Sequence, residues 1–231
     1  MPRQTVAFFI LFLVTGIFTG YGQTKNTPPT QSVKKEPVLS LDKNALKFFS
    51  EGNKFLAANQ PARAIPSYRL ALKSDSLFTA AMDSIAFCYK SSGRTDSAEF
   101  YYKRSFRVQP TNVYAMANLA MIYVSRNDIV KAEGIYNRII KTDAQDPDGY
   151  FGLAEIMLKT GRYNKAVANS LKAYNLWKVK FPRYAGDALF YAGIGSLSKG
   201  DTLNARKYFE RSRKLGTVIP ADYLKKAGMG K

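Results

Sequence analysis

The sequence predicts an all-α fold, a right-handed superhelical solenoid of five consecutive helix-turn-helix repeats. Its first sign is an alanine that recurs every 34 residues, and finally after 39, at Ala64, Ala98, Ala132, Ala166 and Ala205. A period of this size indicates stacked supersecondary units. A glycine or asparagine stands five residues before each of these alanines, where a helix end can adopt the left-handed conformation. Apolar residues recur with helical periodicity on both sides of that residue in every block.

The chain begins with a segment that has the layout of a secretory signal peptide, residues 1–22. Arg3 gives a positive start, an apolar run covers 6–18, and small residues precede Gln23. Cleavage is predicted before Gln23, which would make the mature chain an exported, periplasmic or extracellular protein. The run is shorter than the roughly 20 apolar residues of a membrane span. An uncleaved N-terminal membrane anchor is the alternative.

Residues 23–44 are predicted to form a flexible linker, because 23–40 hold three prolines and show no helical period. Five repeats follow it, at 45–78, 79–112, 113–146, 147–180 and 186–219. A five-residue insertion, 181–185, separates the last two. Residues 220–231 form a short C-terminal capping segment.

Small and large residues occupy fixed positions in each repeat. The eighth position is always Gly or Ala and the twentieth always Ala, and small side chains there allow two helices to approach closely. The fourth position is large and apolar five times. This pattern resembles the tetratricopeptide repeat over residues 45–219. Glu51, Ser170 and a proline at position 32 in one repeat alone, Pro110, are the main departures.

The resemblance implies a concave groove, lined by positions 2, 5, 9 and 12 of the first helices, that binds a protein or peptide partner. The predicted groove residues are Phe49, Asn53, Phe87, Tyr114, Met121, Phe151, Glu155 and Phe190. Such a surface suits a peptide with hydrophobic anchors. Phe49 stands where tetratricopeptide domains that clamp a terminal carboxylate have lysine, so that specificity is rejected. The alternative is that these side chains pack against the neighbouring repeat.

The net charge is +18, and the positive residues recur at fixed positions of the repeats. Cations recur at positions 26 and 29 of the repeats, which belong to the predicted second helices. These positions are three residues apart and therefore lie on one helical face. The predicted basic stripe consists of Arg104, Arg107, Arg138, Lys141, Lys172, Arg211 and Lys214. It could bind anionic lipid, cell-wall polymer or an acidic protein. The alternative is that these cations stabilise helix C-termini and keep the chain soluble.

An aromatic cluster interrupts the repeat phase around the insertion. Trp177, Phe181 and Tyr184 lie close together in sequence there. They are either anchors for a partner or side chains that fill the gap between the fourth and fifth repeats. Packing is the favoured interpretation.

Catalytic chemistry is not predicted. The chain has no histidine and a single cysteine, Cys88, and it contains neither a phosphate-binding glycine loop nor metal-ligand spacing. We therefore expect no enzyme activity, cofactor or metal, and export would separate the protein from nucleic acid.

The predicted function is a non-catalytic protein–protein interaction scaffold of the cell envelope. A basic protein that associates with an anionic envelope surface is the alternative. A homodimer formed through the thinly capped last repeat is a further hypothesis.

Overall fold

A computed structural model describes residues 40–230, so the predicted signal peptide and most of the predicted linker lie outside the described residues. Within 40–230 the protein has eleven helices and no strand, which confirms the predicted all-α class of packed helix-turn-helix repeats. The helices are α1 Lys43–Ala57, α2 Pro61–Ser74, α3 Thr79–Ser91, α4 Thr95–Val108, α5 Val113–Ser125, α6 Ile129–Thr142, α7 Pro147–Lys159, α8 Tyr163–Trp177, α9 Pro182–Ser198, α10 Thr202–Lys214 and α11 Ala221–Lys226. None of these helices is long and apolar enough to cross a membrane.

The described chain divides into two compact units, with the boundary between Gly149 and Tyr150. In the first unit, each helix from α1 to α6 packs against the next. In the second, α9 packs against both α8 and α10. Each unit thus builds its core from neighbouring helices in the chain.

Helix α1 begins earlier than the sequence predicted. The Asp42 carboxylate accepts a hydrogen bond from the Ala45 amide at 2.7 Å, the geometry of an N-cap. Ser40 is buried, and its hydroxyl accepts a hydrogen bond from the Asp42 amide at 3.0 Å. Residues 40–44 therefore contain the cap and first turn of α1, just before the predicted first repeat at residue 45.

The turn inside each pair uses a left-handed residue, as the sequence predicted. All five residues at the fifteenth position have positive φ: Asn59 (57°), Gly93 (75°), Asn127 (58°), Gly161 (72°) and Gly200 (85°). This conformation ends the first helix and lets the chain reverse into the second.

Close helix contact accounts for the small residues. A Cβ atom on Gly52 would lie 2.5 Å from Cε1 of Tyr68, and one on Gly193 would lie 2.3 Å from Cε1 of Phe209. Both rings are fully buried and cannot move aside cheaply. The five alanines of the 34-residue spacing are also 0% exposed. Small residues at these positions are thus packing requirements.

Replacing Gly52 by alanine should destabilise the protein, because the new methyl group overlaps the Tyr68 ring. Overpacking typically costs about 1–3 kcal/mol, and the better helix propensity of alanine recovers up to about 1 kcal/mol. Gly134→Ala is the matched control, since a Cβ on Gly134 within α6 meets nothing within 4 Å. Chemical denaturation should show a lower free energy of unfolding for Gly52→Ala and an equal or higher one for Gly134→Ala. Equal stability of the two variants would contradict the packing argument.

The insertion 181–185 is not a separate loop. Pro182 begins α9, so most of the insertion forms an additional first turn of that helix. Trp177 is 1% exposed in a core cluster, and Phe181 and Tyr184 pack against that cluster. Trp177 and Tyr184 have ring centroids 5.7 Å apart. These contacts support the packing interpretation of the aromatic cluster.

The last repeat is capped by α11. Tyr223 places its ring 5.5 Å from that of Phe190 and 6.2 Å from that of Phe209. Ile219 and Ala227 are buried beside it. The apolar face on which the homodimer hypothesis depended is thus covered by the chain itself.

Candidate protein-binding surface

Side chains of the second and third repeats meet on the first helices of the pairs. Lys90 Nζ of α3 donates a hydrogen bond to Asn118 Oδ1 of α5 at 2.9 Å and lies 4.0 Å from Met121 Sδ. The Asn118 amide nitrogen donates in turn to the Tyr114 carbonyl at 2.9 Å. We name Lys90, Tyr114, Asn118 and Met121 the Lys90 cluster. Two predicted groove residues, Tyr114 and Met121, belong to it.

The Lys90 cluster combines a cation with apolar surface. Lys90, Tyr114 and Met121 are all half-buried. Burial lowers the pKa of Lys90 to about 8, so the ammonium remains mostly charged at neutral pH. Among residues 40–230 no carboxylate lies within ion-pairing distance of it. An ammonium has three donors, so Lys90 can hold Asn118 and still donate to a bound partner.

The other predicted groove residues of the first unit have mixed roles. Phe49 is half-buried between the rings of Tyr68 and Phe78, with centroids 5.5 and 4.8 Å away. Asn53 is exposed and accepts a hydrogen bond from the Tyr68 hydroxyl at 2.8 Å. Phe87 is half-buried on α3, one helical turn before Lys90. Phe49 therefore contributes to the core, whereas Asn53 and Phe87 present accessible surface.

In the second unit, Phe151 and Glu155 keep part of their surface. Phe151 is half-buried, with its ring 5.2 Å from Trp177 and 4.7 Å from Tyr191. Glu155 is half-buried and pairs with Lys159 at 3.5 Å. Burial raises the pKa of Glu155, and the charge of Lys159 partly opposes the rise. These two residues remain candidates for partner contact.

Phe190 is the one predicted groove residue that is fully buried in the structure. It is 1% exposed and packs against Phe209 and Tyr223. Helix α11 lies outside the repeat pattern, and its Tyr223 covers the position that would face a groove in an uncapped repeat. The assignment of Phe190 to partner binding is therefore wrong.

The cations at position 26 of the predicted basic stripe have contacts within the protein. Arg138 stacks over Phe106 at 4.4 Å in the first unit, and Arg211 stacks over Tyr174 at 5.0 Å in the second. In both pairs the ring belongs to position 28 of the preceding repeat. The other two cations at position 26 make different contacts. Lys172 Nζ lies 5.7 Å from the centroid of the Tyr150 ring, and Arg104 donates a hydrogen bond to the Ser76 carbonyl at 2.9 Å. These cations join chain segments, in addition to any role at the surface.

The cations at position 29 differ from those at position 26. Arg107, Lys141 and Lys214 are exposed, and in the described chain none of them takes part in an ion pair or ring contact. Each lies in the last turn of its helix, where positive charge is favourable. These three cations are the part of the predicted basic stripe that is free to contact an anionic surface.

A buried polar network supports α3 from inside. The Asn112 amide donates to Asp83 Oδ2 at 2.7 Å and to Ser105 Oγ at 2.9 Å, and Asn112 Oδ1 accepts from the Ala115 amide at 3.1 Å. Burial raises the pKa of Asp83 to about 6, against the opposing hydrogen bonds from Asn112 and Ser105. Asp83 occupies a groove position by sequence, but it is only 7% exposed and serves the interior.

Among residues 40–230 no group of three or more His, Cys, Asp or Glu side chains is placed to hold a metal. Cys88 is fully buried, and burial raises the pKa of its thiol to about 11, which makes it unreactive. Lys90 can bind a polar group of a partner, and the half-buried aromatic side chains can bind apolar ones.

Asn118 is a member of the Lys90 cluster that sequence reasoning missed, and it is buried, at 3% exposure. It is the one polar side chain between Tyr114 and Tyr123 in α5, and an isolated amide in an apolar helix is a usable signal. Its contact with Lys90 links residues 28 apart, which no single repeat reveals.

Comparison with known proteins agrees with this fold. Residues 89–150 match the model of the tetratricopeptide repeat family. The match covers most of the second repeat, the whole third repeat and the first residues of the fourth, and it includes the Lys90 cluster. Together with the fold, the match supports the resemblance of this chain to the tetratricopeptide repeat family.

Individual relatives are similar over much of the chain. The uncharacterized protein ycf37 of Guillardia theta is 27% identical over 161 residues, which are 67% of this chain and 86% of that protein. The solved structure of PilF from Pseudomonas aeruginosa has a TM-score of 0.69 at 15% identity, over 80% of this chain and 82% of that one. YrrB, described as a TPR protein with an unusual peptide-binding site, has a TM-score of 0.58 at 17% identity, over 74% and 86%. At these identities the two structures establish the fold alone.

Proposed function

We propose that the protein is a non-catalytic scaffold of the cell envelope that binds a protein partner through the first helices of its repeats. The observation that carries the proposal is the Lys90 cluster: a half-buried cation without a carboxylate partner, set among half-buried apolar side chains. Such a surface suits a peptide segment with apolar anchors and a polar or acidic group. The peptide-binding site named for YrrB gives the proposal a parallel in the same fold.

The envelope location comes from the predicted signal peptide, which lies outside the described residues. Fractionation of cells, with the N-terminus of the mature chain sequenced, tests it. A start at Gln23 in the exported fraction is the expected result. A chain that keeps residues 1–22 and sediments with membranes would favour the anchored alternative.

The partner-binding surface can be tested by removing its apolar part. Crosslinking in the native envelope identifies the partner, and recovery is then compared between the wild type and the triple variant Phe87→Ala, Met121→Ala, Phe151→Ala. Loss of at least tenfold in partner recovery is expected, since truncating several central apolar contacts costs more than 1.4 kcal/mol together. All three residues are half-buried, so circular dichroism must first show an unchanged helical fold. Full recovery by a folded triple variant would refute the proposed surface.

The alternative function, association with an anionic envelope surface, rests on Arg107, Lys141 and Lys214. Charge reversal of these three to Glu tests it, and their lack of internal contacts makes them better targets than the stacked cations at position 26. Binding through them should weaken steeply with salt, whereas an apolar contact should weaken little. The homodimer hypothesis stays a prediction that sedimentation can test.

A further inference from the structure

A depression lies on the second helices of the first two repeats, apart from the first-helix surface of the proposed function. Its volume is about 400 Å³, and its lining residues are Arg69, Tyr89, Asp96, Ser97, Phe100 and Tyr101. Arg69 belongs to α2, Tyr89 to α3 and the other four to α4. The depression therefore joins three helices of the first unit, and it combines a guanidinium group with three aromatic rings.

Phe100 is an exposed aromatic residue that the repeat does not require. It is 59% exposed, and the same position of the other repeats holds Pro66, Gly134, Ala168 and Lys207. The Phe100 ring stands edge-on to that of Tyr101, with centroids 5.2 Å apart and planes at 87°. Tyr101 lies 5.8 Å from the nearly buried Tyr89. The three rings form a supported aromatic wall, on which another ring can pack with favourable geometry.

Arg69 supplies positive charge without an acidic partner. Its Nη2 donates to the Tyr89 hydroxyl at 2.6 Å, and among residues 40–230 no carboxylate forms an ion pair with it. Asp96, the acid in the lining, instead pairs with Arg126 at 2.6 Å. The Arg69 guanidinium also hydrogen-bonds the Tyr101 side chain. A guanidinium has five N–H donors in a planar fork, so the bonds to the two phenols leave donors for an anion. Carboxylates match this fork by two parallel hydrogen bonds.

We propose that this depression binds the carboxyl-terminal residue of a partner polypeptide when that residue is aromatic. The terminal carboxylate pairs with Arg69, and the aromatic side chain packs on Phe100 and Tyr101. One terminal residue supplies both groups, which suits a site with one free cation and one aromatic wall. The site is separate from the Lys90 cluster, so it can succeed or fail independently of the proposed function.

The probe for this site is N-acetyl-L-tryptophan, which has the ring and the free carboxylate of a terminal residue. It is titrated into the full chain and followed by NMR through the Arg69 guanidinium and the Phe100 ring. We expect saturable shifts at both residues, and binding of N-acetyl-L-tryptophanamide, which lacks the carboxylate, that is about tenfold weaker. Absence of saturable shifts, or equal binding of acid and amide, would overturn the proposal.

Two substitutions separate the contributions of charge and ring. Arg69→Gln should reduce binding of the acid to the level of the amide and leave binding of the amide unchanged. Phe100→Ala should weaken both probes. Arg213→Gln and Leu203→Ala are matched controls, since Arg213 is an exposed cation and Leu203 is 65% exposed on α10. Binding of the acid that is unaffected by Arg69→Gln would remove Arg69 from the site.

A third probe tests whether the carboxylate must be terminal. The dipeptide N-acetyl-Trp-Asp-amide offers a ring beside an internal acid, and it should bind several-fold more weakly than N-acetyl-L-tryptophan. Equal affinity would overturn the assignment to a chain terminus. Because Arg69 and Phe100 are exposed, thermal unfolding of both variants should match that of the wild type. Should Arg69→Gln unfold, Arg69→Lys keeps the charge without the fork and should still bind the acid more weakly than the wild type.

Discussion

Trp177→Ala is expected to lower the free energy of unfolding by about 3–5 kcal/mol, the usual range for removing a large buried aromatic side chain. Trp177 is 1% exposed, and Phe151 and Tyr184 contact its ring at 5.2 and 5.7 Å. Truncation would leave a cavity between α8 and the start of α9, where two rings lose their partner. Denaturant unfolding followed by circular dichroism measures the loss.

Trp177→Phe is the control that separates ring packing from hydrogen bonding. Within the described residues the Trp177 indole nitrogen is buried without a hydrogen-bond partner, so phenylalanine removes a polar group that the core does not satisfy. We expect Trp177→Phe to cost less than half of the loss caused by Trp177→Ala. Similar losses for the two variants would mean that the cluster depends on the indole itself.

The repeat pattern predicted the fold well because its main requirements are local. A left-handed turn residue such as Gly93 and a helix-contact residue such as Gly52 are each determined within one repeat. The same steric conditions recur in every pair, so five blocks support one another. The start of α1 was not predicted, because the Asp42 cap precedes the first recognisable repeat.

The surface was harder to predict because its side chains depend on neighbours outside the repeat. Phe190 stands where a groove residue is expected, yet Tyr223 of α11 covers it. The repeat pattern places Arg138 in the predicted basic stripe, yet its guanidinium stacks over the ring of Phe106 from the preceding repeat. Position in a repeat indicates the helix face, and the residues of adjoining elements decide whether that face is open.

Stability is expected to decrease as the pH rises from about 4 to about 6, because the interior of the first unit holds acids that resist ionisation. Burial raises the pKa of Asp83 to about 6 from 3.8, and that of Asp146 also to about 6. Burial and the nearby charge of Asp146 raise the pKa of Asp148 well above its usual value. A carboxyl whose pKa is higher in the folded state favours folding while protonated. That contribution is fully present below its unfolded pKa and is lost as the pH passes through the folded value.

Asp83→Asn isolates the contribution of a single residue to this effect. The variant cannot ionise, so at pH 7 it should be more stable than the wild type by on the order of 2–3 kcal/mol, from a shift of about two pKa units. Its stability should also change less between pH 4 and 6, with the remaining slope due to Asp146 and Asp148. Urea unfolding at pH 4, 5, 6 and 7 tests both points.

Asp201→Asn is the control with the opposite sign. Hydrogen bonds from the side chain and backbone of Asn204 lower the pKa of Asp201, so its contribution is present at neutral pH and is lost as the pH falls. The two substitutions should therefore change the pH profile in different ranges, above about pH 4 for Asp83 and below it for Asp201. A wild-type stability that rises between pH 4 and 6, with Asp83→Asn less stable at pH 7, would show that the Asn112 and Ser105 hydrogen bonds outweigh the burial of the Asp83 carboxylate.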